Sequence, residues 1–252
     1  MNRAIVQATV GTCPTIDVSR PFAEAYANRV GADYIYLDRT DYVEKYSDVH
    51  LYKEPFRNER VSIMFAAKSC LDFIAEKYEQ TLWVDTDVVI SPKAPSIFFH
   101  VPEKSFGAWC GEYQFRSSNA TGPEYQHGYF NAGVMVLPFM AHGIVGKAFS
   151  YCQNPEMLTD TERRHLVYDQ TPLNKALAKS QLSITPLSLK WNHCISSTAK
   201  KANTPSFESA YFWHFAASRN TPIEGRNLRK VMDQEARAGY MADWLKERNI
   251  HA

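Results

Sequence analysis

Two carboxylates two residues apart, Asp85 and Asp87, punctuate the run Leu82-Trp83-Val84-Asp85-Thr86-Asp87-Val88-Val89-Ile90. The stretch Thr81 to Val84 reads as a strand buried on both faces. Strand side chains repeat every two residues, so both acids can project to one side. Ligands of open α/β sheets bind beyond the carboxyl ends of strands. Two hard oxygens placed there suit Mg2+ or Mn2+, cations that bridge a diphosphate. Taken alone, Asp-x-Asp also describes two solvated carboxylates in a turn. The apolar strand in front of it argues for the metal.

The acids need a scaffold, and the sequence before them supplies one. Ala4 to Val10 is a short apolar strand bounded by Gly11 and Pro14. Ser19 and Pro21 fit the start of a helix with Phe22, Tyr26 and Val30 on one face, and Gly31 stops it. Asp33 to Leu37 follows as a strand. A long helix is expected from about Asn58 to Tyr78, its stripe Ile63, Ala67, Cys70, Leu71, Ile74 and Tyr78 keeping helical period. Beyond the acids, Ser105 to Cys110, Tyr129 to Leu137, Ile184 to Leu187 and Tyr211 to Phe215 read as strands. Thr171-Pro172 offers a cap and first-turn proline for a helix carrying Leu173, Ala176 and Leu177. Thr221 to Glu224 has capping-box spacing for a C-terminal helix. Strands alternate with helices in the first half, which predicts an α/β fold with a largely parallel sheet. No repeat or linker interrupts the 252 residues, so one domain is expected.

Composition excludes several classes. Lys and Arg number 28 against 27 Asp and Glu, a net charge of +1 that offers no field for nucleic acid. No apolar run is long enough to span a membrane. The opening MNRAIVQATV lacks a small-residue cleavage site and is not read as a signal peptide. Cys13, Cys70, Cys110, Cys152 and Cys194 are scattered, with no C-x-x-C pair, which fits buried thiols in a reducing compartment. Asn119-Ala120-Thr121 is therefore treated as a chance sequon. A soluble cytoplasmic protein is the expectation.

Two reaction classes share Asp-x-Asp after an apolar strand. Phosphatases of the haloacid-dehalogenase type use the first acid, here Asp85, as nucleophile. They usually begin with that strand and need a later acidic pair, whereas here two strands and two helices precede it and no such pair follows. Further along come Tyr129-Phe130-Asn131-Ala132-Gly133-Val134-Met135, Asp169-Gln170-Thr171-Pro172-Leu173-Asn174, Trp191-Asn192 and Trp213-His214-Phe215. In that order, these resemble the nucleotide-sugar-dependent glycosyltransferases of the GT-A fold, and are most similar to family 8, over roughly residues 4 to 220.

The resemblance implies a Rossmann-like, mostly parallel sheet flanked by helices, with residues 1–110 as the nucleotide and metal half and residues 111–252 as the donor-sugar and acceptor half. It implies a metal on Asp85 and Asp87, with Thr86 between them at the donor and His214 as third ligand; His127 and His193 are the reserves. An imidazole among carboxylates shifts preference toward Mn2+. Asn131, Ala132 and Gly133 would face the transferred sugar, and Asp169 and Gln170 would lie near its reacting carbon. Asp169 as a simple helix cap is the competing reading. Thr9 and Val10 would line the base, and Arg60 and Lys68 the diphosphate and sugar. The family's His-Phe-x-Gly-x-x-Lys pattern departs here to Ala217 and Asn220, with Arg219 one residue before the lysine position.

The implied reaction moves a sugar from a nucleotide donor, uridine being the family default, to a carbohydrate or glycoconjugate hydroxyl with retention. A catalytic set of Asp169, Gln170 and Asn131 follows from it. Trp109, Tyr113, Phe115, Tyr125 and Tyr129 around a polar loop suggest stacking on sugar faces. A non-catalytic sugar-binding module is a third class, disfavoured by the intact Asp85, Asp87, His214 and Asp169.

Overall fold

The computed structural model describes residues 2–9, 12–38, 68, 71–72, 74–110, 128–159, 162, 169–195, 206–215 and 234–252. Its backbone is a six-stranded sheet built from β1 (Arg3–Thr9), β2 (Asp33–Asp38), β3 (Gln80–Val84), β5 (Ser105–Cys110), β6 (Phe130–Pro138) and β7 (Ser183–Leu187), in the order β2-β1-β3-β6-β5-β7. Only β6 runs against its neighbours. A second sheet joins β4 (Val88–Ile90), β8 (His193–Cys194) and β9 (Phe212–His214), with β9 in the middle.

Period-two alternation sorts the first sheet into two cores. Leu82 and Val84 of β3, Ile5 of β1, and Val134 and Val136 of β6 face one side. There they meet Ala23, Tyr26 and Ala27 of helix α1 (Thr15–Val30). Trp83, Ala4, Val6, Met135 and Leu137 face the other side. That side is covered by Leu71 and Ile74 and by helices α2 (Ile144–Gln153) and α3 (Gln170–Ala178). Burying each such aliphatic side chain stabilises the fold by about 1.5–3 kcal/mol, which is why the strands read as unbroken apolar runs. A smaller core forms where α4 (Gln234–Glu247) places Met241, Trp244 and Leu245 against Phe22 of α1 and Val89 and Trp213 of the second sheet.

Several expectations shift in position. Helix α1 begins at Thr15, and Ser19 is buried inside it rather than capping it. Pro21 stays within the helix, forgoing the one backbone bond its missing N–H would have made. Gly31 does end it, in the left-handed conformation at φ 66° with its N–H on Ala27 O. The helix expected at Asn58 to Tyr78 falls largely outside the described residues; Lys68, Leu71, Asp72 and Ile74 are helical. The capping box at Thr221 to Glu224 also lies outside them. Among the described residues, no helix is long and apolar enough to cross a membrane.

Candidate metal and donor site

The site forms where the chain passes from one sheet to the other. Asp85 N donates to Gly133 O at 2.8 Å, extending the β3–β6 ladder one step past Val84. A turn follows, closed by Val88 N on Asp85 O at 3.0 Å, and β4 then begins the second sheet. Asp85 and Asp87 are therefore aimed by a turn between two sheets, not by alternation along a strand. Register supplies the third residue: β4 pairs antiparallel with β9, setting Val88 opposite His214, and Phe215 N donates to Asp87 O at 2.9 Å.

Ligand atoms of Asp85, Asp87 and His214 consequently lie within 4.8 Å of one another. His214 Nε2 is 3.3 Å from Asp87 Oδ1. On the other side of the ring, Nδ1 lies 2.8 Å from Asn192 Oδ1, and the Asn192 amide donates to Asn131 Oδ1 at 2.8 Å. Gly133 N also donates to Asn131 Oδ1. This relay fixes the imidazole with Nε2 toward the acids, the arrangement metal-binding histidines use. Gly133 is required for it, since a β-carbon there would run into His214 Cε1.

Each acid has one oxygen held by a cation from elsewhere in the chain. Asp85 Oδ1 accepts from Lys68 Nζ at 3.0 Å and from Trp83 Nε1 at 2.6 Å. Asp87 Oδ2 accepts from Arg237 Nη1 of α4 at 2.6 Å. Burial works against the Asp87 charge, but His214 and Arg237 together outweigh it and hold the carboxyl far below its usual range. Burial likewise disfavours the His214 imidazolium, yet Asp87 overrides it and raises the histidine pKa well above 6.5.

Lys68 also reaches Asp169 Oδ2 at 2.7 Å, so one buried ammonium joins Asp85 to the start of α3. Burial alone would push Lys68 toward neutrality; the two carboxylates reverse that and raise its pKa. Burial raises the pKa of Asp169, with Lys68 opposing the shift. Asp169 occupies the cap position of α3 but makes no side-chain capping bond, and Thr171 lies inside the helix, bonded to the Tyr129 hydroxyl at 2.7 Å. The carboxylate is thus directed to the site instead of to its own helix. Gln170 Oε1 accepts from Ala132 N at 3.3 Å, tying α3 to β6.

A family model described as glycosyl transferase family 8 matches residues 23–220. The chain belongs to glycosyltransferase family 8. Solved structures similar to this family 8 enzyme include a glycosyltransferase involved in the glycosylation of the major capsid of PBCV-1, at 16% identity and TM-score 0.58 over 87% of this chain and 96% of that one. Another is the galactosyltransferase LgtC in complex with donor and acceptor sugar analogs, at 14% identity and TM-score 0.53 over 94% and 95%. Mouse xyloside xylosyltransferase 1 aligns at 14% identity and TM-score 0.50 over 88% and 100%. At such identities the likeness shows the GT-A fold alone. No curated protein sequence matches the chain.

The other expected site residues of this family 8 enzyme are distributed unevenly. Thr9 ends β1 with its hydroxyl 2.8 Å from the Tyr36 hydroxyl. Thr86 bonds to Thr15 in the first turn of α1 at 2.9 Å, turned from the acids toward that helix. Of the reserve histidines, His193 is one residue out of step: Cys194, not His193, registers with His214. Trp109 and Tyr129 are buried rather than presented as open platforms. Val10, Arg60, His127, Arg219, Tyr113, Phe115 and Tyr125 lie outside the described residues. Sequence reading missed Arg237, 150 residues from Asp87, because a lone arginine on a C-terminal helix carries no signal of its partner. It also assigned no role to Asn192, although an asparagine inside a matching Trp-Asn pair was a fair hint.

Proposed function

We propose that this glycosyltransferase uses manganese and a UDP-sugar, and transfers the sugar to a hydroxyl of a glycan or glycoconjugate with retention of configuration. The observation that carries the reading is the convergence of Asp85, Asp87 and His214. Two carboxylates and an imidazole whose Nε2 is turned toward them form a donor set suited to Mn2+. A divalent ion held there supplies electrostatic stabilisation of the donor diphosphate.

The chain's own residues do the rest. Residues 1–110 would hold the nucleotide, with Thr9 and Val10 at the base, and residues 111–252 the sugar and acceptor; His214 crosses from the second half to complete the first. Asn131 spends its carbonyl oxygen on Asn192 and Gly133, which leaves its amide N–H groups to donate to sugar hydroxyls. Transfer breaks the bond between the anomeric carbon and a diphosphate oxygen, and the electron pair stays on that oxygen. The acceptor oxygen bonds to the carbon and passes its proton to the diphosphate oxygen that leaves. Asp169, held at 2.7 Å by Lys68, is better suited to offset positive charge developing on the sugar than to attack it, which favours a front-face route over a covalent intermediate. Gln170 stands beside it on the same turn.

Incubation with a panel of UDP-sugars, with and without Mn2+, tests the reading. Slow Mn2+-dependent release of UDP from one of them is expected. Release of inorganic phosphate from simple esters, lost chiefly in Asp85→Asn, would instead favour the phosphatase.

A further inference from the structure

We infer that Arg237 is a donor-diphosphate ligand, bringing to the site a positive charge that the metal does not supply. The inference rests on the transferase reading above and extends it to a residue outside the span 23–220 matched by the family model.

The first observation is geometric. Arg237 Nη1 sits 2.6 Å from Asp87 Oδ2, the oxygen turned away from His214, so the guanidinium borders the metal-ligating acid without occupying the His214 side. That contact uses one of the five N–H donors a guanidinium carries. Its Nε is buried with no hydrogen-bond partner among the described residues. A buried, unfilled donor of a planar fork is costly unless something accepts from it, and phosphate oxygens match that fork.

The second observation is charge. Asp85, Asp87 and Asp169 face Lys68 and Arg237, both within ion-pair distance. With His214 neutral as a ligand and a divalent ion present, the cluster is left one positive charge in surplus. Remove Arg237 and it is neutral. For holding the metal, the charge of Arg237 is unfavourable, because it repels the ion. The surplus is satisfied by an anion, and a nucleoside diphosphate, more negative after the sugar has left than before, is the anion this site is built around.

The two roles open to Arg237 predict opposite splits between metal and nucleotide. If it mainly orients Asp87, Arg237→Met weakens Mn2+ alone. If it binds the diphosphate, Arg237→Met leaves the affinity for Mn2+ alone unchanged or tighter, and weakens UDP at saturating Mn2+ by about ten- to hundred-fold, the usual result of deleting a hydrogen bond to a charged group. Arg237→Lys, which keeps the charge and one donor, should recover much of the UDP affinity. The test is calorimetric titration of the full chain with Mn2+ alone, then with UDP (GDP and ADP as alternates) at saturating Mn2+. Unchanged nucleotide affinity in Arg237→Met, or a loss confined to Mn2+, overturns the assignment. A wild type that binds none of the three nucleotides sinks the transferase reading and the assignment together. Should Arg237→Met not fold, Arg237→Gln carries the same comparison.

Discussion

The two acids of the Asp-x-Asp turn sit in contrasting electrostatic settings. Asp85, its side chain 25% exposed, shares the buried Lys68 ammonium with Asp169, and that ammonium lies 4.8 Å from the Trp83 ring centroid. Asp87, only 11% exposed, has a ring nitrogen and a guanidinium on its two oxygens. The difference lies in what each acid is tied to. Lys68 fastens the turn after β3 to the start of α3, two segments that meet only through the fold. His214 and Arg237 each take one oxygen of Asp87, the imidazole from β9 and the guanidinium from α4.

Removing groups from the two clusters should therefore damage different properties. The largest effect expected is on turnover: Asp87→Ala should lower Mn2+-dependent transfer by about 100-fold or more, as loss of a contact to charge developing in the transition state does, while thermal unfolding shows a folded protein. Equal activity would end the contrast. Next, Lys68→Met should lower unfolding free energy in urea by about 3–5 kcal/mol, because it leaves buried carboxylates without their cation. A loss confined to activity would mean that this cluster, too, serves the chemistry alone. Asn192→Ala sharpens the Asp87 side. It removes the bond that orients the His214 ring and should weaken Mn2+ binding about 10- to 100-fold, measured by calorimetry without nucleotide. The smallest effect belongs to a control outside both clusters. Asp72 accepts from Val145 N and Gly146 N at the start of α2, so Asp72→Ala should cost about 1 kcal/mol of stability, as loss of a helix cap does, with transfer unchanged.

Much of this arrangement was legible in the sequence. The apolar runs of β1, β3 and β6 announced a sheet buried on both faces, because burial there leaves no polar alternation to confuse the reading. Gly31 marked the end of α1 correctly, since the αL position after a helix favours glycine. Its start was misjudged because Ser19 and Pro21 imitate a cap and first turn, while the real start at Thr15 follows Pro14. The convergence of Asp85, Asp87 and His214 was expected only through family likeness. Nothing local to Trp213-His214-Phe215 says that β9 will pair with β4 and set His214 opposite Val88. That pairing is a long-range register, invisible to composition or period. The same holds for Lys68, which family likeness set near the diphosphate and sugar while nothing local foretold its pairing with Asp85 and Asp169.

Diffraction at the manganese absorption edge, from crystals grown with Mn2+ and UDP, locates the metal outright. One anomalous peak is expected within coordinating reach of Asp85, Asp87 and His214 Nε2, with the UDP diphosphate against it. A peak elsewhere, or UDP bound with no manganese between those three side chains, would contradict a shared metal site there.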